Sequence, residues 1–176
     1  AAAWDGAKSM WLVGHSQDAA CDPLFALWRK AGGITRDIRW QRIELAMENG
    51  ESEIAEHVAR VLDSADRKRL RLWQRANSKP YLLRNKVFQE DNKINRMIIF
   101  RILQYRAVRA PINTTALWEK LEPQYTFGPE QRNGIALAIG IGHTYANDER
   151  ALEWFARLPE EDRHLEVCNY ALRVAL

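Results

Sequence analysis

The sequence lacks most features that point directly to a class of protein. Its 176 residues include 2 cysteines, 9 glycines and 6 prolines, too few for a disulfide scaffold, a collagen repeat or a low-complexity chain. The longest apolar stretch, residues 135–141, is far shorter than the roughly 20 residues that span a bilayer. No basic and then apolar leader opens the chain, because residues 1–5 already have a helical pattern. We therefore expect no membrane span, and a mature protein or an excised piece of one.

Composition and charge are those of a globular protein. A hydrophobic fraction of 47% is enough for a packed core and excludes a disordered chain. The length is that of one domain, or of two small ones. The 26 Lys and Arg against 23 Asp and Glu give a net charge of +3. Such a mild excess permits an anionic polymer as partner without requiring one.

Apolar residues recur with a helical period along nearly the whole chain. Stripes spaced by three or four residues begin at Ile54, Ile94, Ala151 and Leu165. No run of alternating apolar and polar residues lies between turn signals, so we expect no strands. The sequence predicts an all-α fold of about ten helices of roughly 8–18 residues, joined by short loops.

Turn residues mark where these helices begin and end. Gly32-Gly33 and Asn49-Gly50 are typical helix ends, because glycine and asparagine tolerate a left-handed conformation. Helix starts are predicted from prolines and small polar residues at Ser64, Pro111, Pro129, Asn147 and Pro159. Short connections favour antiparallel helical hairpins that stack side by side. We interpret the chain as a loosely repetitive α-solenoid, an α-superhelix in one domain over residues 1–176, although no strict repeat is present.

Metal, cofactor and nucleophile motifs are missing. The four histidines, His15, His57, His143 and His164, are scattered and form no HExxH. Glu161 and His164 form one ExxH, but a di-iron bundle needs two such pairs. There is also no GxSxG elbow, and no histidine partner for a cysteine is evident. We expect no catalytic residue, no metal and no cofactor in this chain.

A glycine-rich stretch and the tryptophans are better explained by packing. Residues 134–142, GIALAIGIG, lack the Lys-Ser/Thr ending of a phosphate loop. Gly134, Gly140 and Gly142 are expected to let two helices approach closely, or to end a helix near Gly142. Seven tryptophans mostly occupy apolar helix positions and are expected in the core.

Two basic clusters permit an anionic ligand. The first holds Arg67, Lys68, Arg69, Arg71 and Arg75, and the second holds Arg96, Arg101, Arg106 and Arg109. A solenoid that binds RNA would carry such faces. However, an acidic run between residues 44 and 56 precedes the first cluster, which favours a solvated or salt-bridged face. We expect no nucleic-acid partner.

One stretch of the sequence resembles a known family. Its motifs are WLVGHSQ at residues 11–17, CDPLF at 21–25, WR at 28–29, RIELAM at 42–47 and NG at 49–50. A second matching segment, ALEWFARLP, covers residues 151–159. Together these segments resemble the soluble lytic murein transglycosylases of Gram-negative bacteria. The resemblance is specific over residues 11–50 and loose between residues 64 and 130.

The resemblance implies a place in a larger architecture. Enzymes of this family have an α-superhelical region, curled into a ring or U, followed by a lysozyme-like catalytic domain. They cleave the MurNAc–GlcNAc bond of peptidoglycan in the periplasm without water, and leave a 1,6-anhydro-MurNAc end. One glutamate serves first as acid and then as base. The all-α interpretation above agrees with the superhelical part.

The family's catalytic signature is missing from this chain. That signature is Glu-Ser followed by an Ala-x-Ser stretch and a Gly-Leu-Met-Gln box, whereas the single Glu-Ser pair here, Glu51-Ser52, has none of the rest. The chain also ends at Leu176, before a catalytic domain begins. We therefore expect a piece of the superhelix without the active site. The resemblance further implies that Cys21 has lost an upstream disulfide partner, so we expect Cys21 unpaired and Cys168 buried as a small apolar residue.

These observations together predict the non-catalytic part of a periplasmic lytic transglycosylase, a lyase of cell-wall turnover. Its expected partners are glycan strands and the catalytic domain of the same parent chain. Arg67, Lys68, Arg71 and Arg75 are the candidates for steering substrate, because cations attract the carboxylates of peptide stems and lactyl groups. Two alternatives stay open: a generic protein-interaction solenoid and, below it, an RNA-binding solenoid.

Overall fold

The computed structural model describes residues 2–163, 167, 169, 170, 172 and 173. None of these residues lies in a β-strand, and most lie in short helices, which confirms the all-α prediction. In the same part of the chain, no helix is both long and apolar enough to cross a membrane. The chain divides into two compact units, Ala1–Arg75 and Ala76–Leu176. The single domain over residues 1–176 stays a prediction.

The first unit contains five α-helices. They are α1 (Ala2–Trp11), α2 (Asp22–Lys30), α3 (Arg36–Glu48), α4 (Ser52–Ala59) and α5 (Ser64–Ala76), of which α5 runs one residue into the second unit. Gly32 and Gly50 have φ angles of 77° and 78°, so both adopt the left-handed conformation predicted for helix ends. The tight turn at Gly50 lets α4 fold back and pack against α3.

Aromatic side chains form the core between α1 and α2. The ring of Trp11 meets Phe25 edge to face at 5.1 Å between centroids, and Trp28 at 6.4 Å. Ile34 and Ile38 complete this cluster. Such edge-to-face pairs add about 0.5–1.5 kcal/mol to the burial of apolar area.

The second unit contains four further α-helices. They are α6 (Lys93–Ala107), α7 (Pro111–Leu121), α8 (Pro129–Tyr145) and α9 (Arg150–Phe155). Two 3₁₀ turns, Pro80–Arg84 and Lys86–Phe88, precede α6. The apolar stripe that begins at Ile94 meets α8 in the core, where Ile98, Ile102, Ile135 and Ile139 are fully buried. Helices α6, α7 and α8 pack against one another, and α9 packs on α8.

Helix starts were predicted correctly at Ser64, Pro111 and Pro129 and incorrectly at Asn147. Ser64, Pro111 and Pro129 are the first residues of α5, α7 and α8, and Pro159 precedes the 3₁₀ turn Glu160–Asp162. The cap of α5 is not the Ser64 hydroxyl, because the carboxylate of Asp63 accepts the Asp66 N–H at 2.7 Å. Asn147 has a φ of 51° and follows α8 in a left-handed conformation, so it is part of a helix end.

The packing interpretation of glycine and tryptophan is confirmed. A β-carbon on Gly142 would overlap the carbonyl oxygen of Ala107, and one on Gly140 would lie 2.5 Å from the Phe155 ring. Helix α8 continues to Tyr145, so Gly142 does not end it. Six tryptophans are at most 9% exposed, namely Trp11, Trp28, Trp40, Trp73, Trp118 and Trp154, whereas Trp4 is 38% exposed.

Candidate functional site

The four basic residues predicted to steer substrate share one face of α5. At 100° per residue, Arg67, Lys68, Arg71 and Arg75 lie within about 100° of the helix circumference. Three of them are exposed and Lys68 is half-buried. The guanidinium of Arg67 donates to the carbonyl of Leu62. We call these four residues the α5 basic face.

The remaining basic residue of that cluster, Arg69, has a structural role. Its side chain is buried and donates to Asp66 at 2.9 Å. Arg36 donates twice to the same carboxylate, at 2.7 and 2.8 Å. Burial raises the pKa of Asp66, but hydrogen bonds to the carboxylate and the positive charges of Arg36 and Arg69 together outweigh it and hold the pKa below its usual value. This buried carboxylate therefore pairs with both Arg36 and Arg69, while the α5 basic face stays on the outside of the helix.

A groove that sequence reasoning missed lies in the second unit. Its volume is about 540 Å³, and its walls are the 3₁₀ turn Pro80–Arg84, the end of α6 and the outer side of α7. The lining includes three cations (Arg84, Arg106 and Lys120), three amides (Gln89, Asn113 and Gln124) and Tyr81, whose side chain is 59% exposed. No aspartate or glutamate is among the lining residues that the structure describes. We call this feature the cationic groove.

The 3₁₀ wall of the groove is held by side chains from elsewhere in the unit. The buried amide of Asn95 donates to the carbonyls of Val87 at 2.9 Å and Glu90 at 2.8 Å. The Tyr125 hydroxyl, whose pKa is raised by burial, donates to the carbonyl of Phe88. Arg106 donates from Nη1 to the carbonyl of Asn77 at 2.6 Å. These bonds anchor the main chain before and after the turn Pro80–Arg84, which has no α-helical hydrogen bonds of its own.

The charge of the groove is not neutralised within the described residues. Neither Arg84 nor Lys120 forms an ion pair there, whereas Arg96 and Arg132 pair with Asp91 and Glu122. The groove therefore offers exposed, uncompensated positive charge at Arg84 and Lys120 to an anionic ligand.

The histidines form no metal site in the part of the chain that the structure describes, where no three metal-ligating side chains cluster. His15 and His57 are exposed, and His164 lies outside the described residues. His143 is fully buried. Its Nδ1 donates to Asp148 at 3.0 Å, and Nε2 accepts from the Thr115 hydroxyl at 3.2 Å. This chain of bonds connects α7, α8 and the loop before α9.

We expect the His143 bonds to stabilise the second unit. Replacing His143 with Phe keeps a ring of similar size and removes both hydrogen bonds. The expected loss in the free energy of unfolding is about 1–2 kcal/mol, measured by urea denaturation. Thr115→Val removes one of the two bonds and should lose about half as much. Equal stability of all three proteins would contradict this role.

The remaining sequence candidates belong neither to the α5 basic face nor to the described lining of the cationic groove. Glu51 directly precedes α4 and Ser52 is its first residue, and both are exposed on that turn. Glu161 is exposed in the 3₁₀ turn Glu160–Asp162. Cys21 is half-buried against the Trp11 cluster and is free within the described residues. Cys168, its possible partner, lies outside them.

The residues that carry the family resemblance form a packing unit. The Arg42 guanidinium lies 4.1 Å from the centre of the Trp11 ring and donates to the His15 carbonyl at 3.4 Å. Gly14 lies so close to the carbonyl of Leu45 that any β-carbon would overlap it. These motifs therefore fix the contact between α3 and the segment after α1.

Comparison with known proteins finds lytic transglycosylases that are similar to this chain. No protein-family model matches the chain. It is 51% identical over 49 residues to the soluble lytic murein transglycosylase of Salmonella typhimurium, and 50% identical over 48 residues to that of Escherichia coli. The fold of the lytic transglycosylase Slt of Pseudomonas aeruginosa, in an inactive mutant, matches 97% of this chain with a TM-score of 0.84 and 26% identity. The chain is similar to soluble lytic murein transglycosylases over part of its sequence and over nearly all of its fold.

The relationship covers a limited part of each relative. The match to the Salmonella transglycosylase is 28% of this chain and 8% of that protein, and the Slt match spans 28% of the Slt chain. A 70-kDa soluble lytic transglycosylase in complex with bulgecin A matches 92% of this chain with a TM-score of 0.57 and 24% identity, and therefore supports the fold alone. The predicted resemblance to lytic transglycosylases is confirmed.

Proposed function

We propose that this chain is the non-catalytic, superhelical part of a periplasmic soluble lytic transglycosylase, and that it holds and steers glycan strands. The catalytic domain of the same parent protein cleaves the MurNAc–GlcNAc bond and leaves 1,6-anhydro-MurNAc ends. The similarity to named murein transglycosylases supports the substrate class. Murein is an anionic polymer because its peptide stems carry carboxylates.

One observation supports steering over a purely architectural role. Both units present cations that no carboxylate neutralises in the described residues: Lys68 and Arg71 on the α5 basic face, and Arg84 and Lys120 in the cationic groove. Acidic side chains elsewhere are used in ion pairs, as Asp66 and Asp91 are. Exposed uncompensated cations raise the local concentration of an anionic polymer, an effect that salt screens.

Co-sedimentation with purified peptidoglycan sacculi tests this function. We expect binding at about 50 mM salt and clearly weaker binding at about 300 mM, since the Debye length falls over this range. No anhydromuropeptide should appear in the supernatant. Released anhydro products would contradict the non-catalytic assignment, and absence of binding at both salt concentrations would contradict the steering role.

A matched pair of double variants tests the α5 basic face. Lys68→Gln with Arg71→Gln removes two of its cations, and we expect the apparent affinity for sacculi to fall about fivefold. The control, Arg29→Gln with Lys30→Gln, removes two exposed cations from the end of α2. Equal losses in the two double variants would show that only net charge matters, and that these positions have no special role.

A further inference from the structure

We infer that the cationic groove binds a muropeptide, a peptidoglycan fragment that carries both a sugar and the carboxylates of its peptide stem, in preference to neutral glycan. The inference rests on the proposed function and adds a ligand class and a location. It concerns the second unit alone, because every residue that lines the groove lies between Pro80 and Tyr125.

The size of the groove suits a small ligand. A volume of about 540 Å³ falls within the roughly 300–1,000 Å³ that small-molecule sites in proteins occupy. The walls combine apolar surface from Leu83, Leu117 and Leu121 with a few polar groups. This mixture is typical of sites that bury a ligand and orient it by hydrogen bonds.

The charge of the groove selects a carboxylate. Arg84, Arg106 and Lys120 line the groove, and no acidic residue is among its described lining residues. Arginine binds carboxylates through parallel N–H bonds, and the Arg84 side chain is exposed and forms no ion pair in the described residues. Nη1 of Arg106 is already bound to Asn77, so this guanidinium is fixed before any ligand arrives.

The neutral side chains of the groove suit a sugar. Tyr81 presents an exposed ring against which the apolar face of a pyranose can stack. Gln89, Asn113 and Gln124 each carry donors and an acceptor, which match hydroxyl and N-acetyl groups. Tyr81 and Arg84 lie on the same 3₁₀ turn, so one short segment supplies both an aromatic and a cationic contact.

Isothermal titration of the 176-residue chain with a disaccharide tetrapeptide, with chitobiose and with the free tetrapeptide tests the inference. We expect the disaccharide tetrapeptide to bind at least about tenfold more tightly than either part, since each lacks one set of contacts. Equal affinity for chitobiose would overturn the selection of a carboxylate. Equal affinity for the free tetrapeptide would overturn the sugar contact.

Variants locate the site. Arg84→Gln with Lys120→Gln, both exposed positions, should weaken binding of the disaccharide tetrapeptide at least about tenfold. The control, Lys86→Gln with Lys93→Gln, removes two exposed cations of the same unit outside the groove lining and should leave binding unchanged. Tyr81→Leu should weaken binding of the disaccharide tetrapeptide and leave the weak binding of the tetrapeptide unaltered. Equal losses in the groove variant and its control would overturn the location.

The two proposals fail in different ways. If sacculi bind and the disaccharide tetrapeptide does not, the groove inference is wrong while the steering function stands. If the muropeptide binds in the groove and sacculi do not sediment the protein, recognition of fragments is supported and steering of intact strands is wrong. Far-UV circular dichroism of each variant confirms that it has retained its helices.

Discussion

Asp66→Asn should lower the free energy of unfolding by about 3–5 kcal/mol, the largest effect that we expect from a single substitution. The carboxylate is fully buried and accepts hydrogen bonds from Arg36 and Arg69. The Arg69 side chain is itself only 9% exposed, so the neutral variant leaves a buried cation without its counter-charge. Breaking one side of a buried ion pair is costly for that reason.

The pH dependence of this effect has a definite sign. The pKa of Asp66 is lower in the folded protein than in the unfolded chain, because Arg36 stabilises the ionised form. Its stabilising contribution is therefore fully present above the unfolded pKa of about 3.9 and is lost as the pH falls through the folded value. The difference in stability between the wild type and Asp66→Asn should be largest near pH 7 and should shrink below about pH 4.

Urea denaturation at pH 7 and pH 3 measures both the loss of unfolding free energy in Asp66→Asn and its dependence on pH. Asp5→Asn is the matched control, since it removes the same charge from an exposed position in the first turn of α1. The control should change stability by no more than about 0.5 kcal/mol. A loss below about 1 kcal/mol for Asp66→Asn at pH 7 would show that the buried network contributes little.

Gly142→Ala should lower the free energy of unfolding by about 2 kcal/mol. The added β-carbon would overlap the backbone of Ala107 at the end of α6, and a backbone cannot move aside as a side chain does. Overpacking of this kind costs about 1–3 kcal/mol or more. Part of the cost is offset by the gain of about 1 kcal/mol when alanine replaces glycine within a helix.

Gly134→Ala in the same helix is the control. There the added β-carbon would lie 3.0 Å from the edge of the Phe100 ring, which is a side chain and is half-buried. A small rotation of that ring relieves the contact, so the gain in helix propensity should leave the stability nearly unchanged or slightly raised. Thermal unfolding of both variants shows whether only Gly142→Ala lowers the stability. Equal losses at the two positions would show that the approach of α8 to the end of α6 has no special importance.

Sequence periodicity predicted the helices well because burial repeats along a helix. Ile94, Ile98 and Ile102 are buried as their stripe predicts, and Gly32 and Gly50 have the expected left-handed backbone. The stripe that begins at Ile54 is only partly buried, because Val58 and Leu62 lie in the interior whereas Val61 is 69% exposed. Asp63 rather than Ser64 caps α5, and Asp148 rather than Asn147 accepts the Arg150 N–H at the start of α9. Periodicity does not distinguish adjacent polar residues that compete for the same N–H groups.

The candidate sites were harder to predict because their residues are separated in sequence. The α5 basic face was found because its residues are close together on one helix. The cationic groove was missed because Tyr81 and Arg84 precede α6, while Asn113 and Lys120 come from α7. Arg69 lies within a charged cluster that indicated a solvated or salt-bridged face, and it is buried in an ion pair with Asp66. Its burial was not predictable from the cluster alone, because the same carboxylate also pairs with Arg36, which is distant in sequence.

The anchoring of the 3₁₀ wall allows the ligand preference of the cationic groove to change by substitution of the side chains on that wall. Tyr81 and Arg84 line the groove from a turn whose flanking main chain is anchored on both sides, at Asn77 by Arg106 and at Val87 and Phe88 by Asn95 and Tyr125. Main-chain anchoring does not depend on which side chains the anchored segment carries. The wall is also free of the helix propensities that constrain α6 and α7. Positions 81 and 84 can therefore be exchanged with little loss of stability, and a library at these two positions is a route to new ligand specificity on an unchanged scaffold.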